Sequence, residues 1–222
     1  MSTLSASGSM PLTAPASRPW GRLASAAAAA LTVPVFALTS LTGDTGAEIT
    51  AGLVDDQVTL TVGALLAVLV AAGLLVAAVR LGRSVSGDTG SVIVASGCAV
   101  AVLYAAFYSV FGAGAVVATQ TLAAPGPGLG EAASLLLNIA EITRFAPGLA
   151  LVAAGVVARR ELPRGVGISA AMLAVMTLAP MTSWVAALLI PAWLGISAAR
   201  VSDRPGDGSD QPADLRGLAS GA

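Results

Sequence analysis

The segment TLTVGALLAVLVAAGLLVAAV, residues 59–79, contains no charged side chain, and its only polar side chains are two threonines. A helix that crosses the hydrocarbon core of a bilayer, about 30 Å thick, needs about 20 consecutive apolar residues. The segment is long enough, and Arg80 follows it directly, where a charge can return to water. It therefore predicts a membrane-spanning α-helix.

Further apolar segments extend this prediction to an all-α, polytopic transmembrane helix bundle of about six spans. The first segment, 23–41, is interrupted only by Pro34, which a membrane helix tolerates. The others are 91–119, 132–158, 165–179 and 183–199. The last two are short and are separated by the turn-forming residues 180–183, so 165–199 forms either two spans or one long kinked helix.

Arginine, the only basic residue type in the chain, lies almost entirely in alternate connections between these segments. Those arginines are Arg18, Arg22, Arg80, Arg83, Arg159, Arg160, Arg164, Arg200, Arg204 and Arg216. The opposite connections contain only acidic charges, namely Asp44, Glu48, Asp55, Asp56 and Glu131. Because arginine-rich loops stay in the cytoplasm, the pattern predicts six spans with both chain ends cytoplasmic. An odd number of spans would place an arginine cluster outside.

The two ends of the chain flank the predicted membrane domain, residues 23–200. Residues 1–22 and 201–222 are rich in Ser, Ala, Pro, Gly and Asp, and they contain too little apolar surface to offset the entropy lost on ordering. We therefore expect two disordered cytoplasmic tails. A cleaved signal peptide is the alternative for the first segment, but its apolar run exceeds the usual signal core of about 7–15 residues.

The composition excludes several classes of function. Hydrophobic residues make up 56% of the chain and charged residues only 10%, against about 25% charged in soluble domains. The chain has no histidine and one cysteine, Cys98, so histidine-based metal or haem sites and an internal disulfide are excluded. Without lysine a P-loop is impossible, and a net charge of −1 gives no case for nucleic-acid binding. We expect no cofactor, no metal site and no catalytic residues.

The only charges inside a predicted span are Glu141 and Arg144. An ionisable residue within a membrane is a functional hypothesis by default. At about 100° per residue, the pair shares a helix face with Gly148 and Gly155, and Asn138 lies at its margin. Both charges fall near the outer boundary, where arginine can snorkel to water. A structural clamp is the favoured interpretation, and a site that binds or moves a solute is the alternative.

Aromatic residues form a stripe on the third predicted span. Tyr104, Tyr108 and Phe111 recur at helical spacing, and the latter two fall near the outer interface. An interfacial aromatic belt is the favoured interpretation, since such belts are routine in membrane proteins. The alternative is a ligand platform, with Tyr104 and Tyr108 as neighbours of the charge pair.

The second half of the chain contains RRELPRGVG (residues 159–167), Trp184 and LIPAWLG (residues 189–195). In these motifs it resembles the small, uncharacterised, six-helix integral-membrane proteins of actinobacteria, and the resemblance covers about residues 159–200. The tryptophan of the typical Leu-Pro-Arg-Trp-x-Gly form is missing here, and the final glycine comes early, at Gly195. The resemblance implies architecture only, because that family has no agreed biochemical function.

Together these features predict a multi-pass protein of the plasma membrane, surrounded by lipid. The favoured function is that of a non-catalytic membrane protein that packs with itself, as a homo-oligomer, or with a membrane-protein partner. The alternative is a small transporter or channel subunit with an outer-side polar site at Glu141 and Arg144. An intramembrane enzyme is the least favoured class, since the spans offer so few polar side chains.

Overall fold

The structure is a computed structural model, and it describes residues 19–39, 43, 45–121, 126–179 and 181–201. The helices are α1 (Trp20–Leu38), α2 (Gly46–Asp55), α3 (Gln57–Arg83), α4 (Gly87–Val116), α5 (Pro127–Val157), α6 (Arg164–Leu178) and α7 (Ser183–Arg200). A π-helical turn, Val117–Thr121, extends α4, and a 3-10 turn, Ala158–Arg160, extends α5. No strand occurs in the described residues, so the all-α class is confirmed there. Most of both predicted tails lies outside the described residues.

Five helices are long and apolar enough to cross a membrane: α1, α3, α4 with its π-helical turn, α5 with its 3-10 turn, and α7. The sixth apolar helix, α6, has only 15 residues, or about 22 Å at about 1.5 Å per residue. Each predicted span coincides with one of these six helices. A turn at residues 181 and 182 separates α6 from α7, so 165–199 is a helical hairpin and not one kinked helix.

Successive long helices run antiparallel. The start of α1 meets the end of α3, where Gly21 lies against the Arg80 side chain, and the end of α1 meets the start of α3 at Gly63. The remaining neighbours alternate in the same way, as shown by the close approaches of Gly90 to Gly82, Ser86 to Glu161, Gly167 to Arg159 and Gly195 to Ser25. All the helix ends that carry arginine therefore gather at one end of the bundle.

We call this the arginine end, and it contains Arg22, Arg80, Arg83, Arg159, Arg160, Arg164 and Arg200, with Asp88 and Glu161 among them. The opposite end, the acidic end, contains Glu48, Asp55, Asp56 and Glu131 and no arginine among its described residues. The arginine-rich and acidic connections that alternate along the chain therefore lie at opposite ends of the bundle.

The acidic end carries a short helix, α2, which lies in the connection between the first two predicted spans. Thr45 caps it: its hydroxyl accepts from the Glu48 N–H at 3.3 Å, and its own N–H donates to the Glu48 carboxylate at 3.1 Å. The Thr50 hydroxyl donates to the Gly46 carbonyl at 2.8 Å and accepts from the Gly130 N–H at 3.0 Å. These bonds dock α2 on the first turn of α5.

Small residues bring the helix backbones together in the core. Gly97 packs against Ala78 and Gly112 against Ala64 across the α3–α4 pair, while Gly195 packs against Ala29 of α1. In lipid, van der Waals packing of this kind drives helix association, since the tails are as apolar as leucine. Large apolar side chains instead face outward along the helices, more than half exposed: Leu65, Leu69, Leu135, Ile142 and Val175.

Candidate functional site

Arg144 lies against an aromatic ring of the neighbouring helix. Its guanidinium carbon is 4.2 Å from the centroid of the Phe107 ring, which is the geometry of a cation–π contact. α5 supplies the arginine and α4 the ring, because these helices pack side by side along this stretch. Arg144 is half-buried, so its charge sits at the edge of the bundle rather than at the centre.

The aromatic residues of α4 form a cluster inside the bundle. The ring centroids of Tyr104 and Tyr108 are 4.7 Å apart, and those of Phe107 and Tyr108 are 5.0 Å apart. Tyr104 is 3% exposed, Tyr108 1% and Phe111 8%. The expected interfacial belt is therefore wrong for this stripe. That expectation was based on where these residues fall along the span. In the structure, the face of α4 that carries them is covered by neighbouring helices.

Tyr104 and Tyr108, which the sequence suggests as neighbours of the charge pair, lie on the same stretch of α4 as Phe107. The Arg144 guanidinium is near enough to interact electrostatically with Tyr104 and Tyr108. The Tyr108 hydroxyl is buried and has no hydrogen bond of ordinary geometry within the described residues. The Tyr104 hydroxyl lies 3.5 Å from the Thr32 carbonyl oxygen of α1, which is longer than an ordinary O–H···O hydrogen bond.

The other two predicted site residues lie one and two turns before Arg144 on α5. The side chain of Glu141 lies outside the described part of the structure, so its pairing with Arg144 stays a prediction. Asn138 is exposed, and its amide donates to the Ser134 carbonyl at 2.9 Å. It borders an open groove of about 350 Å³ near the acidic end, with Phe145 of α5 and Ser183 of α7.

A much smaller cavity lies on the inner side of Arg144. Its volume is about 20 Å³, and its walls include Tyr104, Gly148, Ile190 and Pro191. A space of roughly 10–15 Å³ is needed to admit one water molecule. Arg144 lines this small void, whereas the open groove at Asn138 is lined from α5 by Asn138, Ile142 and Phe145 and not by the arginine.

A second open groove, which we call the α6–α7 groove, has a volume of about 400 Å³ and reaches the arginine end. On its wall the Trp193 indole N–H donates to the Ser169 hydroxyl at 3.0 Å, and Ser169 in turn donates to the Gly165 carbonyl at 2.7 Å. Sequence reasoning missed this groove, because only the pairing of α6 with α7 creates it.

Among the described residues, no group of three or more His, Cys, Asp or Glu side chains could hold a metal ion. Comparisons of the chain with protein-family models, curated proteins and solved structures find no match. The fold thus defines a class: an all-helical bundle with five helices able to cross a membrane.

Proposed function

We propose that this chain is a non-catalytic multi-pass protein of the plasma membrane that packs through its helices against itself or a membrane-protein partner. The observation that carries the proposal is an outward-facing groove between α1 and α3, of about 380 Å³. Its walls combine the small side chains of Ala24, Ala27 and Ala72 with the larger ones of Leu31, Leu69 and Val76. Small side chains of this kind let a further helix approach closely, which suits a helix better than a solute.

The surroundings of Arg144 support a structural role for that residue. The cavity inside the bundle beside it has a volume of only about 20 Å³, too small for a solute. The Phe107 ring stabilises the cation where it stands. The alternative, a small transporter or channel subunit, draws on the open groove at Asn138, which is bordered by the first turns of α7 and the middle of α5.

The proposed topology has six crossings, with the arginine end and both chain ends in the cytoplasm. It is supported by the antiparallel order of the helices and by the retention of arginine on the cytoplasmic side. The five longer helices meet the length requirement. The sixth crossing is α6, which is flanked by Arg164 at its first residue and paired along its length with α7.

We expect an impermeant maleimide to label a cysteine at position 181 from outside the cell, but not a cysteine at position 160. Met181 is 87% exposed at the α6–α7 turn, and Arg160 is exposed at the arginine end. Both substitutions are made in a Cys98→Ala background, which removes the only native cysteine. Reporters fused to either terminus should read as cytoplasmic, and one after Gln120 as external. External labelling at 160, or an external C-terminus, contradicts the topology.

In the same background, cysteines at Ala27 and Ala72 should form crosslinked adducts in native membranes. Both positions are exposed within the α1–α3 groove, where a partner helix would bury them. The matched control is Val175→Cys on α6, which is 68% exposed and does not line that groove. A dimer indicates self-association, and a heavier adduct of fixed mass indicates another protein. Monomers alone from Ala27 and Ala72, at ordinary expression levels, would count decisively against the proposal.

A further inference from the structure

The α6–α7 groove combines an apolar channel with a cationic mouth. Its channel walls include Met172, Leu173, Met176 and Leu189. From the level of Gly165 to that of Met176, eleven residues on, it runs about 16 Å along the helix pair at about 1.5 Å per residue. Methionine side chains are flexible and adapt to the shape of an apolar guest. The channel therefore has the dimensions and surface that suit an extended hydrocarbon chain.

The mouth of the groove is polar and lies at the arginine end. Arg200 borders it, and its guanidinium stands 3.9 Å from where a side chain on Gly165 would begin. Ser197 also lines the groove but is only 1% exposed, so the exposed Arg200 is the group at the mouth that a ligand can reach. A guanidinium is a suitable partner for a phosphate oxygen.

Positive charge outnumbers negative charge around this mouth. Arg159, Arg160, Arg164 and Arg200 lie at this end of the bundle, and Glu161 is the only acidic residue among the described residues from 159 to 201. The Glu161 carboxylate accepts hydrogen bonds from the Ser86 N–H and hydroxyl, both at 2.8 Å. Arginines clustered at a membrane surface attract anionic lipids.

We propose that the α6–α7 groove binds one anionic phospholipid, with its phosphate at Arg200 and an acyl chain along the channel. The inference depends on the proposed placement in a membrane. The α6–α7 groove is a different surface from the α1–α3 groove. A partner helix would fill the apolar channel without bringing an anion to Arg200. In a phospholipid, one molecule supplies both an acyl chain for the apolar channel and a phosphate for Arg200.

The test uses Trp193, which lies in the groove wall, as a reporter. The full chain with Trp20→Phe and Trp184→Phe is reconstituted into phosphatidylcholine vesicles containing a minor fraction of phosphatidylglycerol. Bromine on the acyl chains of one lipid or the other quenches the remaining indole on contact. We expect about fivefold more quenching per mole from brominated phosphatidylglycerol, the preference that one arginine near an anionic surface provides.

Arg200→Gln should reduce that preference to the level of the bulk lipid. The matched control is Arg83→Gln, an exposed arginine at the same end that does not border the groove, and it should keep the preference. Equal quenching by both brominated lipids in the unsubstituted chain would overturn the proposal, because the groove would then not select a headgroup. Absence of quenching by either would overturn it too, since protein would then cover the groove.

These results are separable from failure of the proposed function. Both leaflets of the vesicles have the same lipids, so the quenching reports the groove whichever way the chain is inserted. The adducts at Ala27 and Ala72, by contrast, report a surface on α1 and α3.

Discussion

Replacing Arg144 with leucine is expected to lower the free energy of unfolding in detergent by roughly 2–3 kcal/mol. The substitution removes the contact with Phe107 and, if Glu141 is its partner, leaves that carboxylate uncompensated. Breaking a buried pair costs about 3–5 kcal/mol, and the half-buried position of Arg144 reduces that figure. Chemical or thermal unfolding of the purified protein in one fixed detergent measures the change.

The comparison with Glu141→Leu and with the double substitution decides whether the two charges act as a pair. If they neutralise each other, the double variant should be closer to the parent in stability than either single variant, because replacing both partners is nearly neutral. A double variant that is the least stable of the three would mean that each residue has a separate partner on another helix. Unchanged stability in both single variants, together with altered growth or transport, would favour a binding site over a clamp.

Gly130→Ala is expected to destabilise the protein by about 1–3 kcal/mol, although alanine is the better helix former. A methyl group at this position would overlap the Gly46 carbonyl and would lie 2.8 Å from the Thr50 hydroxyl oxygen. It would push α2 away from α5 and break the bond from the Gly130 N–H to Thr50. The thermal midpoint should fall, and the amides of residues 46–55 should exchange hydrogen faster as α2 undocks.

Gly128→Ala is the matched control, two residues earlier on the same helix. Apart from its chain neighbours and the nearby backbone of its own helix, no atom lies within 4 Å of the position that its methyl group would take. Its effect should therefore be neutral or slightly stabilising. If the two variants behave alike, α2 is not held by the Gly46–Gly130 approach, and the docking described above has to be abandoned.

The long helices were predictable because an apolar segment of about twenty residues is unfavourable in water and has the length of a membrane-spanning helix. The segment at 59–79 and the alternating arginines lead directly to α3 and to the antiparallel order with one arginine end. The short helix α2 was not expected, since ten residues between two spans show no long apolar period. One local signal was present, however: Thr45 followed three residues later by Glu48 is a capping box, and it marks where α2 begins.

The site was predictable only in part. A helical wheel places Arg144, Gly148 and Gly155 on one face, and the structure buries Gly148 against Ile190 and Gly155 against Trp193 of α7. The contact of Arg144 with Phe107 depends on how far α4 and α5 are offset along their axes, and one chain's residue pattern does not contain that offset. The prediction of an interfacial belt on α4 was wrong for a related reason. An apolar helix face can lie against lipid or against another helix, and the residue pattern does not distinguish the two.

In the proposed topology with six crossings, the shortness of α6 has a consequence for the surrounding bilayer. A helix of 15 residues, about 22 Å long, is about 8 Å shorter than a hydrocarbon core of about 30 Å. Hydrophobic mismatch of this size is relieved by local thinning of the bilayer or by arginine side chains reaching outward, at a fraction of a kcal/mol per Å. We therefore expect an annulus of compressed lipid along α6, where short acyl chains collect, and a protein that sorts toward the thinner regions of its membrane.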